Sequence, residues 1–328
     1  MTMISPRRLL AAAVTAGIAL AATGASAEWR GWNIHVPDYP VSIAMDEFTA
    51  QIAAQTDGRV TGQTYHGGVL GSQPDAITQL QIGGIDFAVF NMGPMGPVVP
   101  ETNVLSLPFI FKDMDHMHRV MDGPFGDKLG AAMAEKGIVP LAWYDSGARS
   151  FYNSQKPIAT PADLVGMKFR VMNNELFVGM VEALGGNATP MAFSEVYQSL
   201  KTGVIDGAEN NWPSYESTNH FEVAGYYSLS QHLILPECLC VAKASWDKLS
   251  AEDQQIVRQA ARDSAELQRR LWAERAEASR EKVLAAGVQF NEIADKVPFQ
   301  EAMAQVYEAA VAKTPVLEEL IADIRAVD

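Results

Sequence analysis

From Trp29 to about Tyr227, short runs of β-branched and aromatic residues alternate with stretches whose apolar positions recur at helical spacing. That rhythm predicts an α/β protein with mainly parallel sheets. Helix starts are marked by SQPD (72–75), TPAD (160–163) and SAED (250–253). In each, a Ser or Thr cap is followed three residues later by a carboxylate, and Pro161 takes the favoured first helical position. Residues 251–286 contain neither glycine nor proline, so at ~1.5 Å per residue they predict a helix about 54 Å long, wider than one small lobe. Ile256, Val257, Ala260, Leu267, Leu271 and Trp272 form its apolar side. Such a helix is either a long surface element, a broken pair or a strut across two lobes.

The stretch GMKFRVMNN (166–174) reads as a short strand with Met167, Phe169 and Val171 on one face and Lys168, Arg170 and Met172 on the other. Alternation alone leaves Arg170 open between a solvated or helix-covered side chain and a site residue.

A shift of 120 residues aligns QLQIGGIDFAVFN (79–91) with SLKTGVIDGAENN (199–211), matching Gly83 with Gly203, Asp86 with Asp206 and Asn91 with Asn211. In each copy a helix ends at glycine, a tight turn follows and a buried strand finishes on asparagine. Such units often share Gly and Asp at the turn, so coincidence and duplication both fit. Ligands of open α/β sheets bind beyond the carboxyl ends of the strands. Asn91 would then face Asn210 and Asn211 across a cleft, with Gln73 and Phe193 at matched helix starts where free amides favour negative groups.

The first residues, MTMISPRRLLAAAVTAGIALAATGASA, have the paired arginines, short apolar run and small-residue ending of an export signal, and SPRRLL leaves the general secretory and twin-arginine routes both open. Cleavage after Ala27 would leave 301 of the 328 residues, with 23 basic against 39 acidic side chains and a formal charge of −16. A field of that sign repels nucleic acid and anionic lipid, so a small bound anion needs a local cluster of positive groups. Cys238 and Cys240 share a strand face, a poor arrangement for a relaxed disulfide, and are expected as small buried thiols. His116 and His118 are about 200° apart around a helix and are expected at the surface rather than on one metal. An exported enzyme is the alternative from another class, but G-x-S-x-G, H-E-x-x-H and G-x-x-x-x-G-K-[ST] are all absent. No cofactor or metal is expected.

Three blocks, GVLGSQPDAITQLQIGGIDFAV, SGARSFYNSQKPIATPADLVGMKFRVMNN and PMAFSEVYQSLKTGVIDGAENNWPSYEST, stand in an order and spacing that resemble the solute-binding proteins of tripartite ATP-independent periplasmic (TRAP) transporters. The likeness runs from the signal peptide to the C-terminal helices. It implies a two-lobed "Venus flytrap" of the periplasm, bridged by the long helix, that acts as a monomer, captures an organic acid and delivers it to membrane permease subunits. The expected boundaries are 28–147 plus about 236–275 for the first lobe and 148–235 plus about 276–328 for the second. A binding protein of the ATP-driven (ABC) permeases would share the flytrap logic, but the long helix and the clamp motif disfavour it.

By the same resemblance, Arg170 grips the ligand carboxylate, Asn173 follows the clamp, Phe193 offers a packing face, and Glu209 and Asn210 end the second repeat's strand opposite Asn91. An arginine fork presents two parallel N–H groups to two carboxylate oxygens, which lysine does not reproduce. Arg149, in SGARSFYN, is the best second positive group or else a lobe-surface residue, while Lys168 stays solvated. His35, Asp38 and Tyr39 in IHVPDYP are expected at the cleft, although His35 is also readable as a capped turn residue. Asparagine both donates to and accepts from hydroxyls, so Gln73, Asn91, Asn210 and Asn211 favour a sugar acid such as a uronate. A C4-dicarboxylate or 2-oxo acid, which needs fewer amides, is the alternative.

Overall fold

In the computed structural model of the protein, which describes residues 27–328, eleven strands form two sheets. The export signal expected over residues 1–27 lies, Ala27 excepted, outside the described residues. In chain order the strands are β1 (Ala27–Trp32), β2 (Val60–Tyr65), β3 (Phe87–Asn91), β4 (Ile138–Tyr144), β5 (Ala148–Asn153), β6 (Lys168–Val171), β7 (Asn187–Pro190), β8 (Gly207–Asn210), β9 (Tyr226–Ile234), β10 (Glu237–Ala242) and β11 (Gln289–Glu292). The first lobe's sheet runs β2-β1-β3-β10-β4 and the second's runs β11-β9-β5-β8-β6-β7. Sequence explains position within them. FAVFN of β3 and ECLCVA of β10 are buried throughout and sit centrally, whereas the polar VTGQTY of β2 and the proline-ended NATP of β7 lie at edges.

The sheets are mixed rather than mainly parallel. β10 is antiparallel to both β3 and β4, and β5 is antiparallel to both β8 and β9. The chain passes directly from β4 to β5 and from β9 to β10, so these crossing strands enter each sheet against the direction set by its βαβ units.

The internal repeat is visible in three dimensions. Gly83 and Gly203 both end their helices with left-handed φ values of 72° and 73°, a conformation that a side chain would strain. Asp86 Oδ2 accepts the Arg30 N–H at 2.8 Å, and Asp206 Oδ2 accepts the Lys168 N–H at 2.7 Å. In both lobes the aspartate thus fastens the turn to the backbone of a neighbouring parallel strand. Of the three predicted caps, Ser72 pairs with Asp75 at the helix Gln73–Gln81, Ser250 Oγ accepts the Asp253 N–H at 3.0 Å, and Thr160 with Asp163 closes only a short 3-10 turn, Pro161–Leu164.

The helix Ala251–Ala285 is a single piece and packs on the helix Pro40–Gln55 and β4 in the first lobe and on the helix Trp212–Ser217 in the second. Its buried stripe is Val257, Ala260, Ala261, Ser264, Ala265, Gln268 and Trp272, whereas Ile256, Leu267 and Leu271 are only half-buried. Gln268 is tolerated inside because its amide acts as a strand would: Oε1 accepts the Asp145 N–H at 2.8 Å and Nε2 donates to the Asp145 carbonyl at 2.9 Å. Asp145 lies where the chain leaves β4 for the second lobe.

The tail divides between lobes. Phe299, Met303 and Val306 join the second lobe's core with Phe169, Val171 and Met180, but Leu317, Leu320, Ile321 and Ile324 return to the first lobe's core beside Met117, Val120 and Met121. Residues 316–325 therefore do not belong with the second lobe as expected. This returning helix also covers His116, which is buried, accepts the Lys112 N–H at Nδ1 and reaches the Ile324 carbonyl with Nε2 at 3.2 Å. His118 is half-buried against Asp145, at 2.5 Å. The surface expectation fails for His116, while His118 remains partly exposed.

The expectation of free thiols is also corrected, because Cys238 and Cys240 form a disulfide. Two residues of regular strand span about 6.6–6.8 Å. Here their Cα atoms stand 5.6 Å apart, shorter than that span and well inside the usual disulfide range, beside an irregularity in the pairing of β10 with β4. No helix among the described residues is long and apolar enough to cross a membrane.

Candidate functional site

A cavity of about 280 Å³ lies between the two sheets, beyond the carboxyl ends of β1, β3, β6 and β8. The second lobe supplies its positive charge. Arg149 projects from β5, buried, and engages Glu209 through two parallel N–H groups of one guanidinium edge, with Nε to Oε2 at 2.5 Å and Nη2 to Oε1 at 2.8 Å. Nη2 also donates to the Glu209 carbonyl and Nη1 to Asn210 Oδ1, each at 2.8 Å. Burial works against this guanidinium's charge, yet the Glu209 carboxylate prevails and raises its pKa. Burial likewise disfavours the Glu209 anion, but Arg149, with the His232 imidazole 3.6 Å away, holds it down at about 2.

Arg170 is placed differently. It occupies the β6 face opposite Phe169 and Val171, as the alternation predicts, and is only 4% exposed. Its Nε and Nη2 both donate to the Met191 carbonyl, at 3.0 and 2.9 Å, and its guanidinium carbon lies 5.8 Å from the centre of the Phe193 ring. Among the described residues no carboxylate is within ion-pair distance of it. Burial, with Arg149 adding repulsion and Glu209 opposing, pulls its pKa down to about 10. A buried cation without a counter-ion is costly, and the free edge of this one opens on the cavity. An anion arriving there restores the missing partner.

The first lobe's wall is uncharged apart from one residue. His35, just after β1, stacks on Tyr39 with ring centroids 3.9 Å apart and meets the edge of Phe193 at 6.3 Å. Asn91 ends β3 and uses its own Oδ1 to accept the Gly93 N–H at 3.0 Å, and Gln73 Nε2 donates to the Asn91 carbonyl at 2.6 Å. The exception is Glu237, which opens β10 in register with Asn91. It is buried, lines the cavity, and sits 3.6 Å from His35 Nε2 and 3.5 Å from Asn91 Nδ2. Sequence reasoning missed it. The signal was there, since an acidic residue leading the apolar strand ECLCVA is as anomalous as an arginine within MKFRVM.

Of the residues expected at the cleft, Arg170, Arg149, Asn210, Asn173, Phe193, Asn91, Gln73 and His35 all line the cavity. Glu209 does not; it is fully buried behind Arg149. Asn211 also stands outside, because β8 stops at Asn210 and Asn211 instead caps the helix Trp212–Ser217 and donates to the Ser146 carbonyl at 2.8 Å. Asp38 points to solvent and pairs with Arg275 of the long helix. Tyr39 is buried beside the cavity, where its hydroxyl bonds Ser214 Oγ at 2.9 Å and so joins the lobes. Asn174 joins them at another point, donating to the Gly93 carbonyl at 2.7 Å and to Asn103 at 2.9 Å. Lys168 is exposed, as expected.

Comparison with known proteins places this geometry in context. Residues 33–314 match the model of the bacterial extracellular solute-binding proteins, family 7. A solute-binding protein of Chromohalobacter salexigens is 57% identical over 308 residues, covering 94% of this chain and 92% of that one. Among solved structures, a TRAP periplasmic solute-binding protein from Roseobacter denitrificans with bound β-D-glucuronate is 62% identical, with a TM-score of 0.91 over 92% of this chain and 100% of that one. A second, from Sulfitobacter sp. NAS-14.1 with bound β-D-galacturonate, is 60% identical, with a TM-score of 0.90 over 91% and 99% of the two chains.

Proposed function

Because the chain belongs to the bacterial extracellular solute-binding proteins of family 7, we propose that it captures a hexuronate such as D-glucuronate or D-galacturonate outside the cytoplasm and hands it to a TRAP permease. The observation that carries this reading is Arg170, buried at the cavity and without a carboxylate partner among the described residues. Its free edge takes the uronate carboxylate, and Arg149, its charge balanced by Glu209, holds Asn210 in place at the cavity. One charge-assisted hydrogen bond contributes only about 1.5–3 kcal/mol, whereas micromolar binding requires about 8 kcal/mol. The hydroxyls must therefore contribute, and Asn91, Gln73 and His35 stand on the facing wall to bind them. Similar proteins with bound glucuronate and galacturonate support the same ligand class.

Capture proceeds by hinge closure. The acid joins the second lobe first, through the guanidinium, and the first lobe then closes over the sugar ring. Contacts such as Tyr39 to Ser214 and Asn174 to Gly93 hold the lobes together. The liganded protein favours the closed form because only that form contacts the ligand from both sides. The closed surface is what the permease receives.

A thermal-shift screen against uronates, aldonates, C4-dicarboxylates and 2-oxo acids tests the ligand class. A ligand at 100 times its dissociation constant stabilises by about 2.7 kcal/mol, so uronates should give the largest rise in melting temperature. A larger shift with succinate or pyruvate and none with a uronate would overturn the reading.

A further inference from the structure

Acid capture by Arg170 gives no role to the carboxylate on the opposite wall. Glu237 is 4% exposed and lines the cavity, and its Oε1 is shared between Asn91 Nδ2 at 3.5 Å and His35 Nε2 at 3.6 Å. Both distances lie at or beyond the outer edge of hydrogen bonding. Neither neighbour satisfies the group well, and among the described residues no lysine or arginine lies within ion-pair distance of it. A carboxylate ion only accepts hydrogen bonds, so whatever it meets in the cavity has to donate. A sugar hydroxyl does so; a second carboxylate cannot, and repels it.

The charges of the cavity reinforce this. Glu209 neutralises Arg149, which leaves Arg170 on the second lobe and Glu237 on the first as opposite charges facing one ligand. Their chemistry fits a molecule with an anionic head and a hydroxyl-bearing tail. Resting on the uronate reading, we propose that Glu237 is the specificity residue of the site: it accepts hydroxyls of a uronate held by Arg170 and excludes acids with a carboxylate at each end, such as aldarates and C4-dicarboxylates. Selection then operates by repulsion of the wrong ligand as well as attraction of the right one.

Calorimetry of the mature protein with paired ligands tests this, D-glucuronate against D-glucarate and D-galacturonate against galactarate. In each pair the aldarate carries a second carboxylate at C1 and, lacking the hemiacetal ring of the uronate, is an open chain, so the charge effect is read from how the ratio changes in Glu237→Gln. In the wild type the uronate should bind at least about a hundredfold more tightly than its aldarate, because like charges brought together in a desolvated site are strongly disfavoured. Glu237→Gln, which keeps the shape and removes the charge, should weaken uronate binding by about tenfold and strengthen aldarate binding, bringing the pair within about tenfold of each other. A folded Glu237→Gln protein with an unchanged ratio overturns the proposal. So does a wild type that binds aldarate within about threefold of uronate, a result that needs no variant. If that aldarate binding were still abolished by Arg170→Ala, Arg170's part in acid capture would survive and only the role of Glu237 would fall. A wild type that binds neither class overturns the uronate reading and this one with it.

Discussion

β1 and β6 hold equivalent places in the two lobes, each fastened by the aspartate of the repeat, through Arg30 in one and Lys168 in the other. Two residues further on, the first lobe has Trp32 and the second has Arg170. Trp32 is fully buried in an apolar core with Phe90 and Met92, whereas Arg170 turns the same strand position into a cation at the cavity. The comparison shows how a duplicated scaffold is divided in labour. The second lobe keeps the anchor for charge, and the first offers amides, a histidine and one carboxylate to read what the charge has brought.

Within the second lobe a sharper contrast separates Arg149, which has a carboxylate partner, from Arg170, which has none among the described residues. The largest expected effect tests that contrast. Glu209→Gln leaves Arg149 buried without a counter-ion and should lower the unfolding free energy by about 3–5 kcal/mol in urea titrations. Arg170→Met removes a cation that has no counter-ion to strand, so the unliganded protein should melt at the wild-type temperature or above it. Equal destabilisation by both substitutions would dissolve the distinction. In ligand titrations the ranking reverses. Arg170→Ala should cost about 2–5 kcal/mol of uronate binding, since it leaves the carboxylate desolvated and unpaired, and unchanged affinity in calorimetry would refute the anchor.

A third test concerns pH. His220, behind Phe193 and bonded to the Tyr152 hydroxyl, has its pKa pushed from 6.5 down to about 3 by burial and by the charge of Arg170. The unfolded chain takes up this proton where the folded chain does not, so stability falls as pH drops from about 6.5 towards about 3. One such group contributes a slope of at most about 1.4 kcal/mol per pH unit. Glu209 adds to the loss between its ordinary 4.5 and about 2, because its carboxylate is favoured in the fold. His220→Gln should flatten the upper part of this curve in acid melts; an unaltered profile would mean that His220 is not what titrates. The smallest effect is expected on the facing wall, where Asn91→Ala should weaken uronate binding by about 1 kcal/mol, the usual scale of one neutral hydrogen bond. A loss as large as that for Arg170→Ala would move the anchor to the first lobe.

Much of this was legible in the residues because it depends on local periodicity. Alternation in MKFRVM placed Phe169 and Val171 on one face and Arg170 opposite them, and the 120-residue repeat, which matches Asn91 with Asn211, set Asn91 opposite the Asn210–Asn211 pair, of which Asn210 ends its strand and lines the cavity. Partners distant in sequence were harder to read. The spacing of Leu317, Leu320, Ile321 and Ile324 reveals a buried stripe, but not that its partner is the first lobe. His116 looked like a surface residue because the helix that covers it is contributed some 200 residues later. Gln268 carries no local signal of burial, yet it replaces a missing strand at Asp145. The disulfide was missed because the Cα atoms of Cys238 and Cys240 stand 5.6 Å apart, closer than a regular strand would hold them, and the local pattern does not show it. Glu209 and Asn211 were assigned to the cavity through their neighbours in the motif, while one-residue differences in strand end and facing turn them to supporting roles.

The central claim is that one unpaired guanidinium fixes the acid group of the ligand. A crystal structure of the mature protein with D-glucuronate tests it most directly. The account predicts the carboxylate on the free edge of Arg170, two oxygens against the fork, with the ring hydroxyls turned to Asn91, His35 and Glu237. A ligand bound the other way round, with its carboxylate at the first lobe's wall and hydroxyls at Arg170, would contradict it.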